Sequence, residues 1–228
     1  MVEILAFSGS TRSGSYNKKI LALAVQGAKD AGANVTVIDL LDFKLPLYDG
    51  DLEDQEGIPK NCTKLKNIFI RHQGILLALP EYNSSFSAVF KNVIDWVSRP
   101  TEENSEPLSC FKNKTAALIS ASIGHRGGAR GLIHARSMLE NINVTVLPTQ
   151  VCIANADTAF DDCGVLKEKK SVLSLEMLGE ELVHLIKQTH VITPASETTP
   201  IDPATMNHPS KLDQKFICDF ENEGGITD

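Results

Sequence analysis

The chain has 228 residues, enough for one α/β domain with a sizeable buried core. Hydrophobic residues make up 42% and charged residues 22%, with 15 glycines and 10 prolines, which excludes a disordered, collagen-like or coiled-coil class for the bulk of the molecule. A net charge of −7 argues against general attraction to phosphate backbones or anionic membrane surfaces, so nucleic acid is not an expected partner.

The longest apolar runs, Gly74 to Pro80 and Thr115 to Ala121, stop well short of the roughly 18 residues needed to cross a bilayer, and no membrane span is expected. The opening segment from Met1 enters a strand without the basic and apolar regions of a secretion signal. Cys62, Cys110, Cys152, Cys163 and Cys218 are scattered and form no C-x-x-C pair, which suits a reducing cytoplasm.

In chain order, an apolar run predicts a first strand over Val2 to Phe7. It is followed by a hydroxyl-rich loop, Ser8 to Asn17, and a helix over about Asn17 to Ala31. A loop leaving the carboxyl end of a central strand to open a helix points free N–H groups outward, where the helix dipole favours an anion. Ser10, Ser15 and Asn17 add neutral donors, and Arg12 adds a planar cation suited to phosphate oxygens. A terminal phosphate monoester is the expected guest. The competing reading is that Ser and Gly merely turn the chain and cap the helix. Neither G-x-G-x-x-G nor G-x-x-x-x-G-K-[ST] occurs here, which disfavours a dinucleotide fold or a P-loop ATPase.

A second strand is predicted over Val35 to Asp39. Asp42 to Lys60 is rich in Asp, Glu, Gly and Pro and reads as a long excursion of the kind that carries function or contacts. A helix follows at Asn61 to His72, then a third strand at Gly74 to Leu79. The next turn, Pro80-Glu81-Tyr82-Asn83-Ser84-Ser85, could lie along a flat heterocycle, with Tyr82 adding aromatic area, or be an ordinary surface turn.

A helix at Ser87 to Val97 carries Lys91, Asn92, Asp95 and Trp96, read as structural or interfacial. Arg99 just beyond it could meet cofactor phosphates or a partner subunit. The fourth strand, Thr115 to Ala121, runs into Ser120-Ala121-Ser122-Ile123-Gly124-His125-Arg126-Gly127-Gly128. Its glycines permit close backbone approach to a ligand, and the helix from Gly128 to Asn141 aims its positive end at the sheet edge. A solvent-exposed loop is the simplest setting for His125.

The fifth strand, Val144 to Val151, is interrupted by Pro148. Cys152 beside it reads as a small buried hydrophobe. A last helix covers Leu166 to about Gln188. From Thr193 to Asp228 the chain is polar and broken by Pro194, Pro200, Pro203 and Pro209, and reads as a tail. The histidines show no metal-ligand spacing, and no metal is expected. Strands alternating with helices imply a parallel α/β sheet, and the turns after strands one, three and four would converge at one crevice.

These turns resemble the NADPH-dependent FMN reductases of flavodoxin-like fold, including chromate and quinone reductases and azoreductases. The pattern G-S-x-R-x-x-S-x-N is met by Gly9, Ser10, Arg12, Ser15 and Asn17. P-E-Y-N is met by Pro80 to Asn83, and K-N-x-I-D-W by Lys91, Asn92, Ile94, Asp95 and Trp96. S-x-G-x-x-G-G-A-R is met by Ser122, Gly124, Gly127, Gly128, Ala129 and Arg130. Where relatives often carry Pro and Gly, this chain has Ser87 and Ala88, and Phe90 replaces Leu, which reads as altered packing at a helix start.

The resemblance implies a three-layer sandwich on a five-stranded parallel sheet in order 2-1-3-4-5, with a flavodoxin-like FMN-binding domain over residues 1–192 and the tail over 193–228. It implies a noncovalent FMN whose phosphate meets Ser10, Arg12, Ser15, Tyr16 and Asn17. The ring would lie between Pro80, Glu81, Tyr82 and Asn83 on one side and Ser120, Ser122, Gly124 and Gly127 on the other. It further implies NADPH or NADH as co-substrate, ping-pong transfer to a quinone, azo compound, flavin or metal oxyanion, and a homodimer or homotetramer. The flavin carries the chemistry, so no catalytic acid or base is assigned. A flavodoxin-type electron carrier and a flavin-binding regulatory protein are the alternatives.

Overall fold

The computed structural model describes residues 1–101 and 106–191. The segment read as a tail, Thr193 to Asp228, lies outside them. Elements run β1 (Val2–Ser8), α1 (Tyr16–Asp30), β2 (Ala33–Ile38), α2 (Gly50–Glu56), α3 (Lys60–Arg71), β3 (Gly74–Ala78), β4 (Glu81–Tyr82), β5 (Ser85–Phe86), α4 (Ala88–Val97), β6 (Lys114–Ala121), α5 (Ala129–Asn141), β7 (Val144–Ile153), α6 (Ala156–Ala159) and α7 (Lys169–Val191). The main sheet is parallel in order β2-β1-β3-β6-β7, the flavodoxin-like arrangement, and β4 and β5 form a separate antiparallel hairpin. No helix among the described residues is long and apolar enough to cross a membrane.

The central strands are apolar through most of their length because both faces are covered, and their side chains alternate between two cores. Ile4, Ala6, Leu76, Ala78, Ala117 and Ile119 pack with Ile20, Ala24, Leu178 and Leu182 of α1 and α7. Leu5, Phe7, Ile75, Leu77, Ala116 and Leu118 pack with Leu65, Phe69, Phe90, Val93 and Leu132 of α3, α4 and α5. Helices α1 and α7 cross at nearly bare backbone. A Cβ on Gly27 would lie 1.9 Å from the Glu176 carbonyl oxygen, and one on Gly179 would lie 2.0 Å from that of Ala24.

Pro148 sits where the pairing of β6 and β7 shifts register between Ala116 and Leu118, so the missing N–H falls at a bulge. Arg136 of α5 donates to the carbonyls of Val146, at 3.1 Å, and Leu147, occupying acceptors beside the irregularity. The excursion after β2 contains α2 and is tied to α4. Asn92 accepts from Tyr48 N at 2.8 Å and donates to Pro46 O at 2.8 Å, while the Trp96 indole donates to the same carbonyl at 2.9 Å. Arg99 pairs with Glu53 at 2.8 Å. The chemically rich helix therefore anchors the excursion.

Candidate functional site

Three connections meet at the carboxyl edge of the sheet. The loop after β1 starts at Gly9, whose N–H reaches Ala78 O at 2.9 Å. Ser10 N donates to Ser8 Oγ at 3.2 Å, and Ser10 Oγ accepts from Arg12 N at 3.4 Å, which folds the loop on itself. Ser15 takes the N-cap position of α1, yet its hydroxyl makes no capping hydrogen bond. The first N–H groups of a helix have no partner within it, so this end offers unspent donors.

Ser87 explains one departure from the family pattern. It caps α4 by accepting from Phe90 N at 3.2 Å and donates to Gly9 O at 2.6 Å, stapling the start of that helix to the β1 loop.

The turn after β3 is the short β4–β5 hairpin, which the apolar pattern does not foretell because each strand has two residues. Asn83 and Ser84 at its tip have φ of 51° and 64°, the pair of left-handed residues that a tight hairpin turn requires. Helix α5 holds the hairpin. Glu81 Oε2 accepts from Gly131 N at 3.0 Å, Arg130 Nη1 donates to Ser84 Oγ at 2.8 Å, and the His134 ring lies 3.3 Å from Ser85 Oγ. The Glu81 carboxylate is thus engaged at the positive end of α5.

The turn after β6 is fixed by Ser122 N to Ile153 O at 3.1 Å and Ala156 N to Ser122 O at 3.0 Å. Gly127 and Gly128 have φ of 59° and 91°, and a Cβ on Gly128 would stand 1.9 Å from Ser120 Oγ. These two glycines serve close packing against the sheet, whereas a Cβ on Gly124 would meet only Ser122 Oγ, at 3.7 Å.

Between the three connections lies a crevice of about 260 Å³. One end is lined by Ser10, Arg12, Ser15, Tyr16 and Asn17. The other is lined by Pro80, Glu81 and Tyr82 from the hairpin and by Ala121, Ser122 and Ile123 from the β6 turn. Tyr82 and Ile123 are 56% and 68% exposed, so both leave apolar surface open to a guest. Asn17 lines the crevice with its amide already used. It donates to Ala121 O and accepts from Ala121 N, each at 3.0 Å.

Not every residue assigned to the site from the sequence lines this space. Ser120 is fully buried behind the wall, where its hydroxyl donates to Leu79 O at 2.6 Å. Asn83, Gly124 and Gly127 also stand outside the lining. Ala121 and Ile123 line it but carry no polar atom that a motif search would weigh. His125 is exposed. Cys152 is half-buried, and burial pushes its thiol up to about 11.

A crevice of this build at the switch point of a 2-1-3-4-5 sheet defines a flavodoxin-like nucleotide-binding protein. The chain belongs to the NADPH-dependent FMN reductase family, whose model matches residues 2–158. It is 36% identical over 171 residues to an NAD(P)H-dependent FMN reductase of Pseudomonas aeruginosa, covering 75% of this chain and 87% of that one. It is 30% identical over 149 residues to a quinone reductase of Escherichia coli, covering 64% and 73%. The flavoenzyme NAD(P)H:(acceptor) oxidoreductase FerB from Paracoccus denitrificans superposes with a TM-score of 0.66 at 24% identity, over 82% of this chain and 98% of that one, a likeness of fold. The cofactor of this chain is FMN and its co-substrate NAD(P)H.

Proposed function

We propose that the crevice holds FMN with its phosphate at the Ser10 to Asn17 end and its ring between Pro80 to Tyr82 and Ala121 to Ile123, and that NAD(P)H and a quinone or azo acceptor occupy the remaining open face in turn. The observation that carries this reading is the division of the crevice. One end combines the uncapped start of α1 with the Arg12 guanidinium, which bonds a backbone carbonyl, Gly14 O, at 3.0 Å. The other presents Tyr82 and Ile123 as flat, exposed apolar surface. The residues suit the group: hydroxyls, N–H groups and a cation meet the phosphate, and the one carboxylate in the lining, Glu81, is tied to Gly131 N.

When bound, FMN supplies the two-electron chemistry that no side chain here could perform. The chain's own residues bind and orient. Asn17 locks the start of α1 to the end of β6, so that both crevice ends keep a set separation. Arg130 and Glu81 hold the hairpin that carries Tyr82. Ala121 to Ile123 exclude water from one side. Free flavin and metal oxyanions are further acceptors in this reading, transfer is ping-pong, the assembly is a homodimer or homotetramer, and the compartment is the cytoplasm. Cys62, Cys110, Cys152 and Cys163 are free thiols, as a reducing compartment favours.

Arg12→Ala tests the assignment. Losing a charge-assisted hydrogen bond should weaken FMN binding by roughly 10- to 150-fold and leave riboflavin binding unchanged. Equal weakening of both ligands would remove the phosphate from this loop. Parallel double-reciprocal lines for NADPH and a quinone are expected from shared occupancy, whereas intersecting lines would require a ternary complex.

A further inference from the structure

We propose that Phe160, which lies beyond the residues matched by the family model, is a positioning residue for the anion end of the crevice, acting through Tyr16. This deepens, and rests on, the reading that Arg12 and Tyr16 border the FMN phosphate. Tyr16 is the first residue of α1 and lines the crevice. Its ring is stacked on Phe160, with centroids 5.4 Å apart and planes 14° from parallel. The Arg12 guanidinium carbon sits 5.7 Å from the Tyr16 centroid. Lys19 Nζ lies 5.7 Å from the Tyr16 centroid and 5.0 Å from that of Phe160. Two aromatic rings and two cations thus form one assembly, and Arg12 is its exposed member.

The chain around Phe160 is built to present that ring. Phe160 pairs with Leu166 in an isolated antiparallel bridge, Lys167 N donates to Ala159 O at 3.0 Å, and Asp161 N donates to Val165 O at 2.9 Å. The Asp161 side chain closes the turn by accepting from Val165 N at 2.8 Å. Gly164, with φ of 81°, lies so close to Lys19 that a Cβ there would be 2.9 Å from Nζ. The turn and the Phe160 ring thus both meet Lys19, and Phe160, only 8% exposed, backs Tyr16.

A tyrosine at a helix start has rotamer freedom that an aromatic partner restricts, and a guanidinium held over a fixed ring face is pre-organised for an anion. Phe160 touches neither the crevice nor, in this reading, the cofactor. It acts by keeping the Tyr16 ring in one place, and through that ring it sets where Arg12 can stand.

The test uses the full chain, stripped of flavin and titrated with FMN and with riboflavin by flavin fluorescence, alongside its thermal midpoint. Phe160→Leu keeps apolar volume and removes the stack, Phe160→Tyr keeps the stack, and Arg12→Ala is measured in parallel. Phe160→Leu should weaken FMN about tenfold with riboflavin changed by less than about twofold. Phe160→Tyr should stay within about twofold of the parent for both. Unchanged FMN affinity in Phe160→Leu, or equal loss of both ligands at a lowered thermal midpoint, would overturn the proposal and leave Phe160 as core packing. If Arg12→Ala discriminates FMN from riboflavin while Phe160→Leu does not, only the buttress fails. If Arg12→Ala shows no discrimination, the phosphate-loop reading beneath it fails as well.

Discussion

The two edges of the sheet differ in how fully their polar groups are engaged. At the amino edge, Gln73 Oε1 accepts from Glu3 N at 2.9 Å and Lys114 Nζ donates to His72 O at 2.5 Å. Both His72 ring nitrogens have partners there, Ile68 O at 2.6 Å and Thr36 Oγ1 at 2.8 Å. At the carboxyl edge, Ser87 and Ser120 behind the crevice wall and Asn17 in its lining are equally committed. Among the side chains lining the crevice Ser15 differs: it makes no capping bond to the start of α1. A buried polar group without a partner costs stability, so an unspent group is least costly where a ligand or water can reach it. Ser15 stands at such a place, in the crevice lining.

The comparison can be broken most severely at Asn17. Asn17→Ala would leave the buried N–H and C=O of Ala121 unpaired, and we expect a loss of about 2–4 kcal/mol in urea denaturation together with weakened FMN binding. A loss below about 1 kcal/mol would mean that the two crevice ends are held together by something else.

Lys114 sharpens the amino-edge side. Burial lowers its ammonium to about 8 from the ordinary lysine value of 10.5. Between those two values the unfolded chain holds the proton and the folded one releases it, so stability rises with pH across that window. Below about pH 8 both states are protonated and the contribution is constant. We expect the parent to gain on the order of 2 kcal/mol relative to Lys114→Met between pH 8 and 10.5, read from denaturation midpoints at matched ionic strength. A flat difference would place the ammonium in water.

Ser15→Ala should have the smallest effect on the fold. Because no capping bond is lost, stability should stay within about 0.5 kcal/mol of the parent, against about 1 kcal/mol for a working cap. FMN affinity should fall about two- to tenfold, as loss of one neutral hydrogen bond implies. A stability loss of a full cap with unchanged FMN affinity would move Ser15 to the committed class.

Much of this was legible in one dimension. Apolar runs at Val2 to Phe7, Gly74 to Leu79 and Thr115 to Ala121 have the length of strands covered on both faces rather than of helices, and the helical spacing between them sets the layers. The strand boundaries shift by one or two residues, as at Ala33 rather than Val35, because pairing with β1 extends the ladder beyond the apolar pattern. The hydroxyl-rich loop was legible as a candidate anion site because a strand-to-helix turn exposes N–H groups beside Arg12, while its Ser and Gly equally suit a plain turn and cap. The β4–β5 hairpin stayed hidden, since a two-residue strand has no period to detect, and so did Ala121 and Ile123, whose contribution is shape.

What the amino-acid sequence determined by itself is therefore the set of local structures and the chemical type of each loop, because these depend on backbone preferences and on the spacing of apolar residues along a short stretch. The tertiary structure alone decided which distant residues meet: Asn17 with Ala121, Glu81 with Gly131, Phe160 with Tyr16. Those meetings depend on the register of a parallel sheet and on how closely α1 and α7 can approach, quantities set by many side chains packing at once. Whether a serine is spent or kept free is decided at that level, by what the fold brings within 3 Å of its hydroxyl.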